Sequence, residues 1–501
     1  MTTPKNVLIL CTDEMRGDAL GIAGNRDCKT PNMDALLRRG AFFSGHCSNH
    51  TKCVPSRVTL VTGRYSHSDG FRAITQELPA DRPCLLKQLR GHGYESAVFG
   101  KNHCWANFYG DNSRSSGAVD YTTFTDDYHD WWRERKARFA DAPHGAETEA
   151  MQWLLGQTEG YGKPGAMGVQ GNTAAAHWAD DLSIDQAIDF LTTRRDATRP
   201  FFMQINLEAP HPGYGVPEPY CSMYDRAAVT PYPTALPVNA SLPLRAQRER
   251  RSVDAEHLEA ATRELQAVYY GMVSRVDDQF GRVMQTLSDQ NLWGETVVLL
   301  WSDHGDFAGQ YGLPEKWDSC FNDCLLRVPC GIVAPNIPAG TVVDSLTETV
   351  DLAPTILELL GHEPLPDAHG ESLLPVIAGE KRKRAVFADG GHERAMRERW
   401  AREWQTLAPM KTRQLDAKQT TYIEEPDALA CAKMVRIDSW KLIWREAGGH
   451  ELYNLTDDPQ EMDNRYGAAG TESVTAELLG LLMDWTLRTD PDQPQLDRFG
   501  A

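Results

Sequence analysis

A chain of 501 residues, 41% hydrophobic and 24% charged, is long enough for one large α/β domain and a smaller one. Its net charge of −19 argues against nucleic acid as a partner, though a locally positive pocket can still take a small anion. No apolar run approaches the roughly 20 residues that span a bilayer, so no membrane partner is expected. Residues 7–10 are too short an apolar run for a secretory signal, and no small-residue cleavage site follows them. The eleven cysteines are an odd number with no paired spacing and no C-x-x-C, which points to a reducing cytoplasm. Cys320 and Cys324 have no partner cluster and do not read as a zinc site.

In chain order, residues 7–12 read as a buried strand that ends at Asp13 and Glu14, where open α/β sheets present groups to ligands. A helix starts near Pro31. The stretch Cys53-Val54-Pro55-Ser56-Arg57 opens another, with Cys53 at or just before its N-terminus and Arg57 one turn in. The free N–H groups there favour an anion and are expected to lower a thiol's pKa. Residues 85–93 form a helix, and 95–99 a strand that stops at Gly100-Lys101-Asn102-His103. From 104 to about 180 the pattern loosens around Trp105, Phe108, Tyr109, Tyr121, Trp131 and Trp132. That reads equally as a lid over one edge or as an insertion with its own small core. Helix 179–195 leads to strand 201–206 and then His211. A long helix over about 254–290 precedes strand 296–301, which ends in Ser302-Asp303-His304-Gly305-Asp306.

This alternation predicts an α/β fold: a large, mostly parallel sheet sandwiched between helices, spanning residues 1–375. The basic run 381–384 reads as a solvated junction. Residues 376–501 are expected to form a smaller α+β subdomain with an antiparallel sheet, a hairpin at 434–444 and a helix near 472–488. The stretch 392–410 reads as an amphipathic helix, solvated in preference to covering the pocket or joining a second copy in a homo-oligomer.

Four predicted strand ends thus carry polar clusters, and in one sheet they share one edge. Asp13, Glu14, Asp303 and His304 offer three carboxylates and an imidazole, which suits a divalent cation of the Ca²⁺ or Mn²⁺ type. Arg57, Lys101, His103, His211 and Lys316 are donors able to surround an oxyanion and to move protons. Each cluster alone reads as easily as a cap or a turn; together they read as one site.

These motifs resemble the type I sulfatases of the alkaline phosphatase superfamily over residues 6 to about 464. Cys53-x-Pro55-Ser56-Arg57 with Thr62-Gly63-Arg64 is similar to the family's signature. Gly100-Lys101-Asn102-His103, Ser302-Asp303-His304-Gly305-Asp306 with Lys316, and the tail Leu452-Tyr453-Asn454-Leu455 with Asp458-Pro459 and Asn464 are similar to its other motifs. The resemblance implies a sulfuric ester hydrolase in which a formylglycine-generating enzyme oxidises Cys53 to an aldehyde. It implies one divalent metal, Ca²⁺ before Mn²⁺, held by Asp13, Glu14, residue 53, Asp303 and His304. The hydrated aldehyde would attack sulfur, His211 or Lys316 would protonate the alcohol, and His103 would release sulfate. Arg57 would orient the diol and the metal ligands, and Lys101 would neutralise sulfate charge. Glu14, where Asp or Gln is more familiar, and His304, where some members carry Asn, depart from the commonest pattern. The substrate implied is a small-molecule or saccharide sulfate ester. Alternatives are a phosphonate monoester or phosphodiester hydrolase on the same scaffold and, behind it, a non-catalytic relative that binds sulfated ligands.

Overall fold

The computed structural model describes residues 4–73, 76, 78–79, 81–101, 103–104, 119–122, 169–171, 178–250, 256–382, 385–407 and 417–490. Its strands in chain order are β1 (Asn6–Thr12), β2 (Ala41–Cys47), β3 (Glu95–Gly100), β4 (Tyr121–Thr122) and β5 (Val169–Gly171). Next come β6 (Phe201–Asn206), β7 (Tyr214–Gly215), β8 (Thr296–Ser302), β9 (Cys330–Val333) and β10 (Thr341–Glu348). The last four are β11 (Ala385–Gly390), β12 (Ala432–Ile437), β13 (Trp440–Arg445) and β14 (Glu451–Asn454).

Eight strands form one sheet in the order β10-β2-β9-β8-β1-β6-β3-β4. The pairings are parallel except those of β9, which runs against both of its neighbours. Both faces are buried, and the two-residue period of a strand divides its side chains between them. Leu8 and Leu10 of β1 join Val298 and Leu300 of β8 in one core, against helices Trp178–Asp189 and Leu258–Asp289. Val7, Ile9 and Cys11 join Val297, Leu299 and Trp301 in the other, against helices Cys53–Thr62, Leu85–Gly91 and Leu352–Leu360. The sandwich of a mostly parallel sheet between helices is therefore as expected.

A separate antiparallel sheet, β11-β12-β13-β14, packs its apolar face against helix Glu472–Thr489 through Val435, Leu442, Leu478 and Trp485. The hairpin of β12 and β13 is longer at both outer ends than expected, and the flanking strands β11 and β14 complete the sheet. The 392–410 stretch is helical over Arg394–Leu407. Of the aromatic insertion, Trp105, Phe108, Tyr109, Trp131 and Trp132 lie outside the described residues. Tyr121 belongs to β4, its ring 5.3 Å from that of Phe190. No described helix is long and apolar enough to cross a membrane.

Register is what builds the site. Thr12 of β1 pairs with Ser302 of β8, Cys11 pairs with Asn206 of β6, and Asn206 pairs with Gly100 of β3. Four strands thus stop level with one another, and the residues after each stop meet.

Candidate active site

Helix Cys53–Thr62 starts at the sheet edge just described, with Lys52 as its extended first cap. Ser56 fastens it there: its Oγ donates to the Asp303 carbonyl at 2.6 Å, as does Ser48 Oγ. One turn in, Arg57 is buried and touches four acceptors. Its Nε donates to Asp303 Oδ2 at 2.8 Å and its Nη2 to Asp13 Oδ2 at 3.0 Å. Its Nη1 donates to the Lys101 carbonyl at 2.9 Å and to Asn206 Oδ1 at 3.1 Å. The guanidinium therefore occupies one oxygen of each aspartate and turns the other toward the nucleophile position.

Those inner oxygens form a cup. Asp13, Cys53, Asp303 and His304 each present a ligand atom, all buried and within 4.8 Å of one another. His304 Nε2 lies 3.4 Å from Cys53 Sγ and 3.6 Å from Asp303 Oδ1. Two carboxylates and one imidazole around a buried point fit a hard divalent cation. Glu14 falls in an overlapping group with Asp13 and His211. Its Oε1 meets Lys316 Nζ and lies 3.3 Å from His211 Nε2. Asp306 is a close side-chain neighbour of Glu14, and burial with Asp306 outweighs Lys316 and raises the Glu14 carboxyl well above its usual range, so a cation that takes this group displaces its proton. The Glu14 backbone is held at φ 69°, with its N–H on Asp303 Oδ1 at 3.2 Å and its carbonyl taking Tyr269 Oη at 2.8 Å. Tyr269 comes from the middle of the long helix Leu258–Asp289, which explains what that helix does for the site.

The cations line the other side. Lys101 Nζ meets Asp13 Oδ2 at 2.8 Å. Gly100 makes this approach feasible: it sits at φ 85°, and a Cβ there would come within 2.0 Å of the Asn206 carbonyl. Burial favours the neutral acid of Asp13, but Lys101, His211 and Arg57 outweigh it and hold the carboxyl well below its ordinary range. Burial lowers Lys101, but Asp13 more than offsets it and the ammonium is held charged. Lys316 is held charged the same way, chiefly by Glu14 against burial. Burial, then Lys101 and Arg57, push His103 well below its usual pKa; burial, then Lys101 and Lys316, do the same to His211. Every predicted site residue thus falls within this one cluster. One expectation is corrected: the Cys53 thiol is not lowered but pushed up to about 11, because burial and Asp13 outweigh the nearby Lys316 and Lys101.

The turn before the helix carries a pH-sensitive group. His50 is buried, accepts the Lys52 N–H on Nδ1 at 3.0 Å, and has its pKa lowered by burial to about 3. A histidine lowered on folding contributes stability above the unfolded value of about 6.5 and loses it as pH falls toward 3. The full-length protein should accordingly lose on the order of a few kcal/mol between those limits, and His50→Asn, which keeps an acceptor, should flatten the slope. Chemical unfolding across pH measures it; an unchanged slope would remove His50 as its source.

Sequence reasoning left three groups unassigned. Ser56 lies inside the signature, and its spacing of three from Cys53 marks it as a helix-start residue. Asn206 is the polar end of an apolar strand. Asp306, whose carboxylate takes Tyr214 Oη at 2.8 Å and the Ala308 N–H at 2.6 Å, also shares a side-chain hydrogen bond with Glu14.

The family model described as Sulfatase matches residues 5–362. The multifunctional alkaline phosphatase superfamily protein PehA of Trinickia caryophylli is 29% identical over 416 residues, covering 76% of this chain and 78% of its own. The arylsulfatase of Clostridium perfringens is 26% identical over 418 residues, covering 77% and 81%. Among solved structures, the phosphonate monoester hydrolase of Agrobacterium radiobacter superposes with a TM-score of 0.74 at 22% identity, over 97% of this chain and 96% of that one. A protein in complex with its substrate D-glucosamine-2-N,6-O-disulfate superposes with a TM-score of 0.71 at 20% identity, over 99% and 100%. On the extent of the family match, the chain belongs to the sulfatase family of the alkaline phosphatase superfamily and is a sulfuric ester hydrolase.

Proposed function

We propose that the protein hydrolyses a small-molecule or saccharide sulfate ester through a formylglycine made from Cys53. What supports this is the cup of Asp13, Asp303 and His304 around residue 53, with Lys101 and Lys316 near enough to act on its side chain and His103 and His211 near Lys101. A divalent cation in the cup, Ca²⁺ or Mn²⁺, with Glu14 as a further donor, would supply Lewis acidity to the nucleophile. The chain's own groups do the rest. Lys101 and Lys316 neutralise the sulfate oxygens. One hydroxyl of the hydrated aldehyde, ionised with its proton released to solvent, attacks sulfur, the S–O bond to the alcohol breaks, and Lys316 or His211 gives that oxygen a proton. His103 then takes the proton of the second hydroxyl, the carbonyl reforms, and the bond to sulfate breaks. A serine or thiol has no second hydroxyl, so it cannot release sulfate by this internal route. A formylglycine-generating enzyme is the maturation partner, and the cytoplasm the location, in this reading.

The test is a peptide mass spectrum across residue 53 after co-expression with a formylglycine-generating enzyme, followed by rates on sulfate and phosphonate esters. An aldehyde with faster sulfate turnover supports the proposal; an intact thiol, with the maturation enzyme active on a control, overturns it. The second reading, a phosphonate monoester hydrolase, is favoured by Asp303-His304, a pair also carried by some phosphonate enzymes. Lys101 and His103 favour the sulfatase. Their two donors suit a sulfate, and the phosphonate enzymes resemble this pair less.

A metal prediction follows from the cup. Asp303→Asn removes one charge from the ligand group and leaves Arg57 facing an amide, so metal affinity should fall by at least the roughly 10–100-fold that losing an outer partner of a ligand costs, with a matching loss of rate at low metal. Elemental analysis after dialysis checks it; unchanged metal content would take Asp303 out of the ligand set.

A further inference from the structure

The segments that carry the nucleophile and Lys316 are tied to each other, and to the C-terminal sheet, by one buried carboxylate. Asp318 lies two residues after Lys316. Its Oδ2 is in a salt bridge with Lys52 Nζ, from the residue just before Cys53, and both side chains are almost wholly buried. The same Oδ2 lies 2.8 Å from Nε2 of His392, which follows the last strand residue Gly390 of β11 by two positions. Lys52 Nζ and His392 Nε2 are 3.4 Å apart, so the three groups form a closed triangle.

Backbone contacts reinforce each side of it. Thr51 Oγ1 donates to the Trp317 carbonyl at 3.0 Å, Gly391 N–H donates to the Asp318 carbonyl at 2.9 Å, and Asp389 N–H donates to the Asn49 carbonyl at 3.1 Å. Gly391 is required at the corner: it sits at φ 79°, and a Cβ there would come within 2.2 Å of the Ala430 carbonyl. His392 is anchored from its own side, with its N–H on the Leu429 carbonyl at 2.8 Å and its carbonyl accepting Arg397 Nε at 3.0 Å. The Trp400 ring stands edge-on to it at 4.5 Å. A lysine beside the nucleophile is thus turned away from the cup and spent on this triangle.

We propose that Asp318 is a positioning residue: it sets residue 53 against Lys316 through Lys52, and through His392 it makes that spacing depend on docking of the C-terminal sheet. The idea rests on the hydrolytic roles proposed above for residue 53 and Lys316. None of the three groups touches substrate in it, so their loss should appear in the rate of the chemical step and not in substrate binding.

The experiment uses full-length, formylglycine-containing, metal-loaded protein and p-nitrophenyl sulfate, with a p-nitrophenyl phosphonate ester in parallel. Asp318→Asn and Lys52→Met should each lower kcat by roughly 10–100-fold and leave KM within about threefold. Formylglycine occupancy and metal content should match the wild type. The double variant, which removes both charges together, should be no slower than the slower single variant and should recover thermal stability lost by the singles. His392→Leu should behave as the singles do, and His392→Gln should restore much of that loss. Singles that fold and keep kcat within threefold overturn the inference, as do additive losses in the double variant or losses carried by KM. A His392→Leu enzyme with wild-type kcat overturns the role of the C-terminal sheet. A wild type inactive on both esters overturns the hydrolase reading and this inference with it; an active wild type with unaffected variants overturns this inference alone.

Discussion

Cys53→Ala should lower kcat/KM on the best ester by more than about 10⁴-fold and leave the fold in place. The nucleophilic atom is removed outright, and among the described residues no neighbour replaces it: those around residue 53 are carboxylates that also bind Arg57, cations and imidazoles. Stability should change by only about 1 kcal/mol, since one small buried side chain is exchanged for another. The helix start does not need the sulfur, because Ser56 N–H still reaches the Lys52 carbonyl at 3.0 Å and Ser56 Oγ still holds Asp303. Thermal unfolding and steady-state rates on the same preparation check both halves. Cys53→Ser gives a sharper arm. A lone hydroxyl can accept the sulfuryl group but cannot expel it as a reforming carbonyl, so a single turnover with a stable sulfate adduct is expected by mass spectrometry. Sustained turnover in either variant would show that the reaction does not run through residue 53.

The strands that carry the site were legible because they are buried on both faces and end abruptly in polar residues. Residues 7–11 and 297–301 are continuous apolar runs and 201–205 is broken only by Gln204, with Asp13, Asn206 and Asp303 marking where they stop. β2, β9 and β10 gave no such signal. β2 mixes Phe42 and Phe43 with Ser44, Gly45 and His46, and β10 contains a register shift between Val343 and Leu346 that breaks its alternation. The antiparallel direction of β9 depends on which strands flank it, which a local pattern does not encode. Within the site, residue types and strand ends pointed to the cluster, but the division of labour between the two oxygens of each aspartate did not. That depends on Arg57 reaching Asp13, Asp303, Asn206 and the Lys101 carbonyl at once, across separations of 44 to 246 residues in the chain. The thiol shift was misread for a related reason: a helix N-terminus is a local feature of sequence, whereas full burial beside Asp13 is a property of the assembled fold.

Arg57→Lys is the second large effect, although it keeps the charge. A lysine ammonium carries three donors on a flexible stem and cannot reproduce a planar fork that meets two carboxylates, an amide and a carbonyl from fixed directions. Asp13 and Asp303 are both fully buried, so any lost contact leaves a desolvated carboxylate oxygen poorly compensated. Two consequences separate this variant from a merely weakened enzyme. The inner oxygens are no longer aimed into the cup, so metal affinity should fall with activity, and excess cation should restore only part of the rate. Stability should drop by about 2–4 kcal/mol without metal and by less with it, since a bound cation compensates the same carboxylates. We expect kcat to fall by roughly 10²–10⁴-fold at saturating metal, by analogy with the loss of other fixed electrostatic contacts in active sites. Calorimetric unfolding with and without added cation, beside rates at saturating cation, reads all of these at once. An Arg57→Lys enzyme with parental metal affinity and rate would mean that charge alone suffices here, and that the fork geometry is incidental to the site.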